Sequence, residues 1–85
     1  MTAKEMFEQL HYKIEKNNKN ELIYRYDEVL MEERIIQHIM FAKISKIIFS
    51  YREQFGEFCG IGMSELQAIN KQCEEFGWYK WQMSY

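Results

Sequence analysis

Two changes of hydrophobic period divide the chain. Ala3, Met6, Phe7 and Leu10 recur at i, i+3, i+4 and i+7, which is one apolar stripe of a short helix. Thr2 followed three residues later by Glu5 supplies a capping box for its start. From Tyr12 the period falls to 2. Tyr12 and Ile14 alternate with Lys13 and Glu15, the polar run "NNKN" at 17–20 reads as a turn, and Leu22, Tyr24 and Tyr26 alternate with Ile23, Arg25 and Asp27. This predicts a β-hairpin. Ile47, Phe49 and Tyr51 against Ile48, Ser50 and Arg52 predict a further strand, rich in β-branched and aromatic residues. Near the end, Leu66, Ile69, Cys73 and Phe76 restore helical spacing, with Ser64 and Gln67 as the expected capping pair.

The two helical stretches end alike, in "FEQLHY" at 7–12 and "CEEFGW" at 73–78. In a Schellman ending the residue after the helix takes a left-handed conformation, and the next folds back onto the residue five positions earlier. That places Tyr12 on Phe7 and Trp78 on Cys73, with His11 and Gly77 as the left-handed residues. The repeat is thereby explained by helix termination rather than by a duplicated binding motif.

Residues 28–45, "EVLMEERIIQHIMFAKIS", are open to two readings. Ile36, Ile39, Met40 and Ile44 line a helix, while 35–41 equally make a central strand apolar on both faces. The strand is preferred. The glycine-containing stretch 55–64 then serves as the connection into the last helix. The expected core comprises Met6, Phe7, Leu10, Leu22, Tyr24, Ile39, Phe49, Leu66, Ile69, Cys73 and Phe76.

"MTAKEMFEQLHY" at the front and "MSELQAINKQCEEFGW" at the back, with tyrosine-rich alternating strands between, resemble a group of small uncharacterised phage and prophage proteins of Gram-positive bacteria. Those proteins open with a "TAKEMFEELGY"-like helix and close with an "ELxAIxxQxxELGW"-like helix. The resemblance implies an α+β fold, with N- and C-terminal helices packed on one face of a three- to four-stranded antiparallel sheet. This chain departs from the pattern at His11, where glycine is usual, and in the apolar run 35–48. No activity comes with the resemblance, so it assigns no functional residues.

Eighty-five residues suffice for one domain, 1–85, burying roughly 60–65% of its unfolded surface. Apolar residues make up 47% and charged residues 28%, the balance of an ordered domain rather than a disordered chain. The start is too acidic for a signal peptide and no run of eighteen apolar residues occurs, so a soluble intracellular protein, not a membrane protein, is expected, and the resemblance implies the cytoplasm of a bacterial host. Cys59 and Cys73 are then expected as reduced thiols.

The candidate chemistry is sparse. His11, His38, Cys59 and Cys73 have no paired metal-ligand spacing, and nothing in sequence sets a histidine beside Cys59 as a base, so neither a metal, a cofactor nor a catalytic set is expected. "CGIGMS" at 59–64 precedes a helix N-terminus but lacks the lysine of a phosphate loop and reads as an ordinary turn. Nucleic-acid binding would use Lys13, Lys16, Arg25, Lys46 and Arg52, with Tyr24, Tyr26 and Tyr51 for stacking. A net charge of −2 and an isoelectric point near 5.7 disfavour it. The aromatic tail 79–85 carries Tyr79, Trp81, Met83 and Tyr85, residue types that protein interfaces concentrate. Ile23, Ile36, Met40 and Ile48 are expected on a second, helix-free sheet face. Together these point to a binding or assembly module, forming a homo-oligomer or contacting a host or phage protein, rather than to an enzyme.

Overall fold

A computed structural model describes residues 1–53, 57–58 and 60–79. The order is α1 (Ala3–Gln9), β1 (Tyr12–Asn17), β2 (Glu21–Leu30), β3 (Glu33–Ala42), β4 (Ile47–Arg52), β5 (Glu57–Phe58) and α2 (Met63–Phe76). The strands form one antiparallel meander in the order β1-β2-β3-β4-β5. Both helices pack on one face of it, as expected from the sequence, and four full strands are joined by a two-residue fifth within the stretch read as a plain connection.

The helix ends behave as their residues dictate. Thr2 Oγ1 accepts from the Glu5 amide at 3.2 Å, and Glu5 accepts from the Thr2 amide at 2.8 Å, completing the capping box. His11 (φ 70°) and Gly77 (φ 73°) are both left-handed. Tyr12 then meets Phe7 edge-on, ring centroids 5.7 Å apart, and the Trp78 amide donates to the Cys73 carbonyl at 3.0 Å. The Ala3 amide donates to Glu75 at 2.7 Å, fastening the start of α1 to the second helix.

Residues 28–42 are strand and turn, not helix. Every residue of β2 from Glu21 to Leu30 opposes one of β3, and the strands reverse through Met31 (φ 51°) and Glu32 (φ 69°). A two-residue turn with both residues left-handed matches the twist of its strands. A sheet resolves the two-sided apolar pattern: Ile39 and Phe41 face the helices, while Ile36 and Met40 face the other way. Ile44, which a helix would have buried, is 79% exposed in the β3–β4 turn.

The core lies between α1, α2 and the strand residues Leu22, Tyr24, Ile39 and Phe41. Phe7 stacks on Tyr24 with centroids 3.9 Å apart and meets Phe41 edge-on at 6.2 Å. The Tyr24 hydroxyl donates to Gln72 Oε1 at 2.7 Å, which is why a glutamine is buried in the middle of α2.

Three expectations require correction. First, α2 starts two residues early: Gly62 is its N-cap, and Glu65 rather than Gln67 reaches back, accepting from the Gly62 amide at 2.8 Å. Its buried stripe is Ala68, Ile69, Gln72 and Cys73, and Leu66, expected in the core, is 39% exposed on its flank. Second, β4 sits in the opposite phase. Because Phe41 pairs with Ile48 and Met40 with Phe49, Ile48 packs against the helix-side core and Phe49 lies on the free face, the reverse of both expectations. Third, the register of β1 shifts between Ile14 and Lys16, so Lys16, which strict alternation sets with Tyr12 and Ile14, pairs with Ile23 of the free face, while Glu15 stays there beside Arg25 and His38.

Candidate functional site

Among the described residues the second face of the sheet has no helix packed on it. Across its middle, Ile23 pairs with Met40 and Met40 with Phe49, one apolar row over three strands. The next row is Arg25, His38 and Tyr51, in which the His38 and Tyr51 rings stack at 4.8 Å and His38 Nε2 lies 3.3 Å from Glu15. His38 is buried by these neighbours, and its Nδ1 has no hydrogen-bond partner. Burial also pushes the Tyr51 hydroxyl above its usual pKa.

β2 and β3 continue past their neighbours. Strand β1 reaches only to Tyr26 and β4 only to Gln37 in register, so residues 27–36 project as a two-stranded arm. Its end is apolar and exposed: Val29 by 67%, Leu30 by 47% and Met31 by 98%. Asp27, Glu28, Glu32 and Glu33 make the arm acidic, with Arg34 as its cation, held to Asp27 by two hydrogen bonds of 2.9 and 2.7 Å. That pairing holds the Asp27 carboxyl below its usual pKa. The far end of the sheet is basic. Lys16, Lys19, Lys43 and Lys46 gather at the β1–β2 and β3–β4 turns, which are joined where Lys43 Nζ donates to Asn17 at 2.8 Å.

The residues proposed for nucleic acid do not form one basic surface. Lys13, Lys16 and Arg25 share the free face, Lys46 sits in the β3–β4 turn at φ 58°, and Arg52 is on the helix side. Lys16 is paired with Glu21 at 2.7 Å, and Arg25 lies between Glu15 (3.8 Å) and Asp27 (3.3 Å). Of the three tyrosines, Tyr24 and Tyr26 face the helices, and Tyr51 alone lies on the free face.

Of the tail, Tyr79 donates its hydroxyl to Asn70 at 2.9 Å and is 38% exposed. Trp81, Met83 and Tyr85 lie outside the described residues, as does Cys59. Cys73 is buried, which pushes its thiol pKa up. His11 stands 3.5 Å from Glu28 at the edge of the sheet, remote in strand position from His38. Among the described residues no three of His, Cys, Asp and Glu come together as a metal site, and no helix is long and apolar enough to cross a membrane.

A second feature was not legible from the sequence. On the helix side, the overhanging arm and the start of α2 enclose a cleft of about 400 Å³. Leu10, Leu30, Ile35 and Met63 line its apolar part, and Gln37, Glu65 and Arg52 its polar part. Glu65 is fully engaged, accepting from the Gly62 amide, the Tyr12 hydroxyl and Gln37 Nε2 (3.3 Å). Arg52 is not: its Nε is buried without a hydrogen-bond partner. Comparison with protein families, curated proteins and solved structures found no match to this chain.

Proposed function

We propose that this protein is an assembly module that works through protein contact, the first partner being a second copy of itself laid antiparallel across the free sheet face. The observation that carries this reading is the polarity of that face. An apolar centre, Ile23, Met40 and Phe49, lies between an acidic arm and a basic pair of turns. A two-fold axis through such a face brings each acidic arm against the partner's lysines and stacks the apolar centres, so one surface satisfies both copies. The resemblance of both terminal helices to phage and prophage proteins supports a role as a phage-type accessory protein in the host cytoplasm. Catalysis is the weaker reading, because the described histidines and Cys73 lie apart or buried.

Light scattering across a concentration series tests the proposal. The wild-type chain is expected to run as a dimer at tens of micromolar, and Met40→Lys or Phe49→Lys to run as a folded monomer with an unchanged circular dichroism spectrum. A chain ending at Trp78 that stays dimeric assigns the contact to the sheet, whereas a folded monomer assigns it to the 79–85 tail. A wild-type monomer at the highest soluble concentration contradicts self-association.

A further inference from the structure

The helix-side cleft has a chemistry of its own, independent of the free face used for association. We propose that it binds a small carboxylic acid carried on a short apolar chain, with Arg52 as the residue that recognises the carboxylate.

The charge argument is specific. Two side chains charged at neutral pH line this cleft, Glu65 and Arg52. Glu65 already has three donors and lies at the N-terminus of α2, where the aligned amides favour a negative charge. It neither needs nor invites a cation. Arg52 has a buried Nε–H with no acceptor, and no described carboxylate forms an ion pair with it. A buried donor left unmatched is costly, and more so on a charged group. The guanidinium fork is matched best by a carboxylate or phosphate taken bidentately.

The remaining walls choose between those anions. Leu10, Leu30, Ile35 and Met63 offer no donors from their side chains, the hydroxyls of Tyr12 and Tyr26 and the Gln37 amide already donate to Glu65 and Glu28, and Ser64 is left as the further side-chain donor, so a phosphate, which needs several, would be left largely unsatisfied. One carboxylate on an apolar chain meets both halves of the cleft at once. Its volume is at the small end of the roughly 300–1,000 Å³ typical of ligand sites, which suits a short acid rather than a long lipid. Met63 and Leu30 are substantially exposed, so the mouth is open to solvent.

Titration of the full chain with octanoate, followed by amide shifts of Gln37, Ser64 and Glu65 and by the Met63 methyl, tests this. Saturable shifts with octanoate, absent with octanamide and weakened at least tenfold in R52Q, are the expected result. The R52Q spectrum outside the cleft reports whether the fold is kept, and R52M serves as a second variant of the same test. Equal binding of octanamide, or unchanged octanoate affinity in the Arg52 variants, overturns the role of Arg52. If acetyl-Leu-Glu-Leu-amide binds tenfold more tightly than octanoate, the site belongs to a peptide and the small-acid assignment falls. No shifts at 10 mM octanoate overturn the proposal altogether.

Discussion

Phe7→Ala is expected to remove about 3–5 kcal/mol of stability, enough to leave the chain largely unfolded at room temperature. Phe7 is fully buried between α1 and the sheet. Its ring stacks on Tyr24 and stands edge-on to Tyr12 and Phe41. Truncation deletes the transfer energy of the ring, opens a cavity that a seven-residue helix cannot shift to fill, and removes three aromatic contacts. Leu66→Ala is the matched control. With 39% of Leu66 exposed, it should cost less than about 1 kcal/mol. Urea unfolding followed by tryptophan fluorescence measures both, and a Phe7 variant as stable as the Leu66 variant would displace Phe7 from the centre of the core.

Tyr24→Phe is expected to cost about 1–3 kcal/mol at neutral pH, because Gln72 Oε1 would lose the donor it has in the core. The same hydroxyl makes stability depend on alkaline pH. Burial, reinforced by the charges of Glu75 and Glu8, pushes its pKa from 10.0 to about 12. A phenol whose folded pKa is raised binds its proton more tightly in the folded state than in the unfolded one. Its contribution is therefore complete below pH 10 and is lost as the pH rises through about 12. Tyr51 and Tyr26 shift in the same direction, Tyr51 through burial and Tyr26 through its hydrogen bond to Glu28, and add to the decline. Denaturant midpoints should be set by other groups up to pH 10 and fall between pH 10 and 12, less steeply in Tyr24→Phe. An identical alkaline decline in that variant would show that the Tyr24 hydroxyl does not drive it.

The elements were legible from period and caps because each is written locally. Thr2 and Glu5, Gly77 and Trp78, and the alternation around Tyr24 each specify a backbone conformation within a few residues. What escaped depends on distant partners. Both faces of β4 offer plausible core residues, and only pairing with β3 decides that Ile48, Ser50 and Arg52 face the helices. The turn at Met31 and Glu32 lacks the asparagine or glycine that left-handed positions usually carry, so residues 28–42 did not announce a hairpin. Gly62 and Glu65 make as good a helix start as Ser64 and Gln67, and which flank of the stripe faces the sheet, Ala68 and Gln72 rather than Leu66, is decided by how α2 docks. The cleft at Arg52 joins β3, β4 and α2 and has no local signature at all.

Self-association through the free face, in antiparallel order, is the central claim, and intermolecular paramagnetic relaxation addresses it directly. A spin label is placed on Met31→Cys in a C59S/C73A background without isotope, and mixed with an unlabelled-cysteine copy enriched in ¹⁵N. Only contacts between copies then broaden the observed amides. The account predicts broadening at residues 18–20 and 43–46, where the partner's basic turns lie against the labelled acidic arm. Broadening centred on residues 29–33 would place arm against arm, and no broadening at concentrations where the chain is dimeric would remove the free face from the contact; either result contradicts the account.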